Sequence, residues 1–255
     1  MGMSDKFDEL RDLIAFLRSE RGCPWDRAQT LKSLRPHLLE EMYEVCEAID
    51  EGDPAKLREE LGDALFLILF SAKIAEDDGR FSIDEVIRGS LAKMRARHSH
   101  VFGERKDLQA HQVLDEWEKS KAAQKPADQS VLAGVPRTYP SLMKAQRIQQ
   151  RAASLGFDWD EIRSVFAKLE EEIGEFEEAC GEADKDHVRD ELGDILFCLV
   201  NVARFLDISA EDALQGTISK FQARFQHVEK EIARRGKMTL AEMDAIWEQA
   251  KKDSP

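Results

Sequence analysis

Two acidic patterns carry the chemistry open to this sequence: Glu171-Glu172-x-x-Glu175 and, further on, Glu191-x-x-Asp194. In a helix, residues three apart lie on one side, about 4.5 Å along the axis. Glu172 and Glu175 therefore project together, and Glu191 and Asp194 do the same. Two such helices face to face would gather four carboxylates. Repulsion and lost hydration forbid that grouping without cations. An all-oxygen ligand set suits a hard ion, magnesium or manganese. A lone E-E-x-x-E is ordinarily a solvated helix face. The second pattern is harder to dismiss, because an uncharged, mostly apolar run, Ile195–Ala203, follows Asp194. Gly193 also sits inside that segment, where glycine costs a helix about 1 kcal/mol relative to alanine.

Cations accompany the acids. Lys220 and Arg224 stand one helical turn apart, Lys168 lies one turn before Glu172, and Arg189 just precedes Glu191. Singly, such residues are surface charges or ion pairs. Beside a carboxylate–metal cluster they would neutralise phosphate oxygens beyond the metal's reach. Trp247 could stack on a base, or pack as lone tryptophans commonly do. There is no G-x-x-x-x-G-K-[ST] loop and no H-E-x-x-H. No glutamate precedes a histidine by three residues, which argues against a ferritin-like di-iron site. The histidines at 37, 98, 100, 111, 187 and 227 lack metal-ligand spacing and read as helix-face or loop positions.

The elements that would position these residues are written twice. Residues 59–66, EELGDALF, match 190–197, DELGDILF, at an offset of 131. Glu41 and Glu44 map onto Glu172 and Glu175 at the same offset, and Glu60 and Asp63 onto Glu191 and Asp194. Downstream the offset falls to 127, pairing Lys93 with Lys220 and Arg97 with Arg224. The first copy thus carries extra residues, expected in a loop around Glu76–Arg80. Trp117 and Trp247 close the two copies. A register kept across several segments marks an internal duplication. The segment 119–140, with Pro126, Pro136, Pro140 and Gly134, reads as a linker. The expected organisation is a repeat over 1–120, a linker over 121–140 and a second repeat over 141–255.

Helical periodicity runs through both copies. Ile162, Val165, Phe166, Leu169, Ile173 and Phe176 recur at three- and four-residue spacing, which predicts one buried face. Residues 191–206 are apolar nearly all round, predicting a central bundle helix. Ser82 and Ser209, each with an acid three residues on, read as helix starts. No segment alternates like a strand, so the class is all-α. The formal charge of −14 argues against binding nucleic-acid polymers. Four cysteines without a C-x-x-C pair read as reduced thiols. No signal-peptide or membrane-spanning run is visible, so a cytoplasmic protein away from membranes is expected.

Together these residues resemble the MazG family of all-α nucleotide pyrophosphohydrolases. Glu40-Glu41-x-x-Glu44 with Glu60-x-x-Asp63, and Glu171-Glu172-x-x-Glu175 with Glu191-x-x-Asp194, both match the family's hallmark. Residues 22–30, GCPWDRAQT, resemble the opening signature of a first MazG domain, and 98–103, HSHVFG, its close. The resemblance implies hydrolysis of nucleoside triphosphates to monophosphate and pyrophosphate. It implies magnesium, with manganese as a substitute, on Glu172, Glu175, Glu191 and Asp194. Lys168, Glu171, Arg189, Lys220, Arg224 and Trp247 would then line the nucleotide site. Homodimers are implied as well.

The copies are not equivalent. Asn201 shares a helix face with Asp194 and is a further candidate substrate contact, whereas its counterpart is Phe70; Lys168 corresponds to His37. Catalysis is therefore expected in the second copy. Glu41, Glu44, Glu60 and Asp63 would form a weaker second site, structural or regulatory. The rival reading is a non-catalytic helical protein serving a regulatory partner.

Overall fold

The computed structural model describes residues 3–102, 113, 130–182 and 184–253. Gly103, Trp117 and the 121–129 part of the expected linker lie outside them. The described residues hold helices and no strand. The chain divides into two compact units, Met1–Gln124 and Lys125–Pro255.

The first unit contains α1 (Met3–Leu17), α2 (Pro24–Ala28), α3 (Leu31–Glu51), α4 (Pro54–Asp77), α5 (Ile83–Arg97) and α6 (Ser99–Phe102). Its long members form a hairpin, α3 against α4, with α1 and α5 laid on α4. The sequence dictates the turn between them. Gly52 ends α3 at φ 66°, a left-handed conformation that favours glycine. Asp53 then caps α4 by accepting from the Ala55 and Lys56 amides, and Pro54 occupies the first turn. The GCPWDRAQT segment is a comparable device. A Cβ at Gly22 would collide with the Phe16 and Leu17 carbonyls. Pro24 starts α2, and Thr30 starts α3 in a capping box with Ser33. Ile14, Leu34, Leu69, Phe70 and Ile74 form the core, flanked by Phe7, Leu10, Leu31, Phe66, Leu67 and Ile83.

The second unit contains α7 (Ser141–Ala153), α8 (Ile162–Glu182), α9 (Lys185–Phe205), α10 (Ala210–Arg235) and α11 (Leu240–Asp253). Here α8 and α9 form the hairpin, and α7 packs on α9 and α10. Asp184 caps α9 as Asp53 caps α4. The expected serine starts are present: Ser82 in a full capping box with Glu85, Ser209 accepting from the Asp212 amide.

Three expectations are corrected. Most of the extra residues of the first copy lengthen α4 through Asp77, because an added turn continues the existing ladder, and only one enlarges the loop that follows. On α8, Val165 is buried but Phe166 and Ile173 are exposed. On α9, Val200 is buried while Leu192, Leu196, Phe197 and Leu199 are each more than 40% exposed. That helix is not central within its own unit, since α7 and α8 cover only part of its circumference.

Candidate active site

Each hairpin carries its acids on facing helices. In the second unit, one carboxylate oxygen each of Glu172, Glu175 and Glu191 lies within 4.8 Å of the others. Glu172 is buried, and Lys168 binds it at 2.8 Å and Glu171 at 2.6 Å. Hydrogen bonds to Glu171 and then Glu172 push the Lys168 ammonium further into its charged form. Asp194 stands outside the trio but near it. The Cys198 thiol is pushed up by burial first, then by the charges of Glu172 and Asp194.

In the first unit the gathered trio is Glu41, Glu60 and Asp63. Two of its members come from α4, whereas two of the second trio come from α8. Glu44 stays close enough to act on both of its glutamates. Burial raises the Glu41 carboxyl, and Glu44, Asp63, Glu60 and Glu40 raise it further. Glu60 is raised by burial, then by Glu44, Glu59 and Asp63, with Lys56 opposing. No lysine replaces Lys168 here. His37 faces the exposed Glu40 at 3.4 Å and packs edge-on to Trp25.

Both trios fit a divalent cation. Glu41 Oε2 and Glu191 Oε2 are buried atoms without a hydrogen-bond partner, a costly state for a carboxylate. Burial raises the Glu175 carboxyl, Lys168 opposes this, and Glu172, Glu191 and Glu171 add to it. A hard cation among all-oxygen donors would relieve each of these penalties.

The remaining candidates are placed unevenly. Glu171 is exposed and tied to Lys168. Arg189 is not brought to the trio; it pairs with Asp186 at 2.6 Å on an exposed face, because two residues along a helix turn it far from Glu191. Lys220 is exposed on α10 and Arg224 half-buried one turn on. Trp247 packs against Phe221, ring centroids 5.0 Å apart, which in turn stacks on Phe225. Asn201 Oδ1 accepts from Arg204 at 2.8 and 3.0 Å, and Arg204 also grips Asp158. Sequence reasoning missed Arg204, although its place one turn after Asn201 was a usable signal. It also missed His187, whose ring touches Glu191 at 3.2 Å from the i, i+4 position.

Comparison with known proteins decides the family. The MazG nucleotide pyrophosphohydrolase domain matches twice, over residues 29–102 and 161–229. The chain belongs to that family. A nucleoside triphosphate pyrophosphohydrolase of Escherichia coli K12 is 42% identical over 97% of this chain and 98% of its own length. The nucleoside triphosphate pyrophosphohydrolase/pyrophosphatase MazG of Thermotoga maritima is 41% identical over 96% and 95%. The Bacillus subtilis protein YabN, uncharacterized, is 44% identical over 96% of this chain and 52% of its own. As a MazG protein the chain is an enzyme, a nucleotide pyrophosphohydrolase, and both matched segments contain an acid trio.

Proposed function

We propose that the second copy, residues 141–255, hydrolyses nucleoside triphosphates between the α- and β-phosphates, and that residues 121–140 link it to a first copy over 1–120. The observation carrying this assignment is the pairing of the buried Glu172 with Lys168 next to Glu191, whose buried Oε2 has no partner. Glu172, Glu175, Glu191 and Asp194 would hold magnesium, or manganese in its place. A bound divalent cation supplies Lewis-acid polarisation of the phosphates and eases loss of a proton from the attacking water. The chain's own cations do the rest. Lys168 offsets charge at the acids, and Lys220 and Arg224 take up charge on the leaving pyrophosphate. Glu171, Arg189, Asn201 and Trp247 complete the proposed nucleotide contacts. Arg189, turned away from Glu191 by its place on α9, would meet a part of the nucleotide away from the acid trio on leaving Asp186. With no helix among the described residues long and apolar enough to cross a membrane, and four free thiols, we place the activity in the cytoplasm.

The working form we propose is a homodimer. Phe166, Ile173, Leu192, Leu196, Phe197 and Leu199 are exposed on the helices that carry the acids. Apolar surface on that scale marks an interface. Added Cβ atoms at Gly62 and Gly193 would meet nothing within their own chain. A helix of a second copy approaching Gly193 closely gives that costly glycine a use. Light scattering on the purified chain tests the dimer; a monomer at all concentrations removes it.

The test of the activity is product analysis. Nucleoside triphosphate and magnesium should give monophosphate and pyrophosphate, and EDTA should abolish turnover. Orthophosphate and diphosphate as the first products, or full activity in EDTA, would overturn the assignment.

A further inference from the structure

We propose that His187 is a positioning residue for Glu191, holding one oxygen of that carboxylate so that the other is presented to the cation. This rests on the metal reading of the second copy. The imidazole spans the hairpin turn. Its Nδ1 lies 3.1 Å from Glu182 Oε2 at the end of α8, and its Nε2 lies 3.2 Å from Glu191 Oε1 on α9. Glu191 is therefore divided: Oε1 is held by the ring, and Oε2 is buried with no partner. A glutamate side chain held at one oxygen no longer has to be ordered when the ion arrives.

The first copy lacks this link. Lys56 stands at the equivalent place and also reaches the end of the preceding helix, binding Glu51 at 3.0 Å. Its second ion pair goes back along α3 to Glu47 at 3.0 Å, whereas that of His187 goes forward to a member of the trio. Helix electrostatics gives no separate reason for a histidine there. The first turn of α9 favours acids, and Asp184 and Asp186 already supply them. His187 and Glu182 are 43% and 62% exposed at their side chains, so water screens the ring's charge on that side, whereas Glu191 is only 15% exposed and its contact with the ring is the more sheltered one.

The experiment measures Mn2+ binding by electron paramagnetic resonance on the full chain without nucleotide, in a Glu60→Gln background that weakens the first site. His187→Ala should raise the Mn2+ dissociation constant by about 10-fold or more, as loss of such outer partners commonly does. His187→Gln, a neutral donor, should recover most of that loss. Turnover of His187→Ala should need more magnesium yet approach the unsubstituted value once magnesium saturates. A purely structural role would lower the melting temperature without this selective shift in metal affinity. Unchanged Mn2+ affinity in His187→Ala overturns the proposal, and so does a glutamine variant as impaired as the alanine one. If the His187 background protein itself binds no Mn2+, the metal reading fails and takes this inference with it. Glu182→Gln, which loosens the ring from its other side, should give a smaller shift in the same direction.

Discussion

Phe70 and Asn201 occupy the same place in the two copies, and their surroundings differ throughout. Phe70 is 1% exposed, packed with Ile14, Leu34, Leu69 and Ile74, with Phe66 tilted against it and the Arg18 guanidinium 5.4 Å from its ring centre. Asn201 is half-buried and bound to Arg204. The covering helices follow suit. Helix α1 meets α4 through Phe7, Leu10 and Ile14, whereas α7 is tied to its unit by glutamines. Gln149 donates to the Phe197 carbonyl at 2.9 Å, and Gln146 bonds the Ile208 carbonyl and the Ala210 amide. One copy has spent this position on a dry core and the other has kept it polar. The acids diverge in parallel, with Lys168 seated on Glu172 but nothing equivalent on Glu41. The two copies thus keep the same acids in different surroundings.

The core contrast gives the largest expected effect. Phe70→Ala should destabilise the first unit by about 3–5 kcal/mol, and Val200→Ala the second by about 2 kcal/mol. Chemical denaturation of each variant would show this; equal losses would mean the two units are packed alike.

Next in size is the division of labour. Glu172→Ala or Asp194→Ala should lower turnover by about 10²–10³-fold, roughly 3–4 kcal/mol. Glu41→Ala and Asp63→Ala should retain most of it. Steady-state rates with a circular-dichroism melt separate catalysis from folding. N-terminal variants that are folded and equally inactive would reverse the assignment, and equal halving by each pair would mean two working sites.

Gly193→Ala sharpens the comparison with the chain's surroundings. Helix propensity alone should stabilise α9 by about 1 kcal/mol, since the new methyl meets nothing in its own chain. If a second copy approaches there, the same change should weaken dimerisation and activity. Sedimentation against melting temperature distinguishes the two.

The smallest effect concerns pH. The folded-state carboxyl of Glu41 is raised above its unfolded value, so its ionised form costs stability. That cost is full above the raised pKa and fades as the pH falls through it. Glu41→Gln should therefore raise the melting temperature in EDTA at neutral pH and lose its advantage in acid. Glu172→Gln, which gives up a bond from Lys168, should not gain.

The sequence alone determined that the chain is helical and duplicated, and which acids share a face. Those properties follow from local rules: the 3.6-residue period, the capping serines Ser82 and Ser209, and a register preserved between copies. Tertiary structure decided which acids meet. Asp63 joins the first trio while Asp194 stands beside the second, and Arg189 turns away to Asp186. It also decided that His187 reaches Glu191, and that the apolar second half of α9 leaves Leu192, Leu196 and Phe197 bare within its own chain. Periodicity fixes the angle between residues on one helix. It does not fix how that helix is rotated against its neighbour, or how much of its circumference the chain covers.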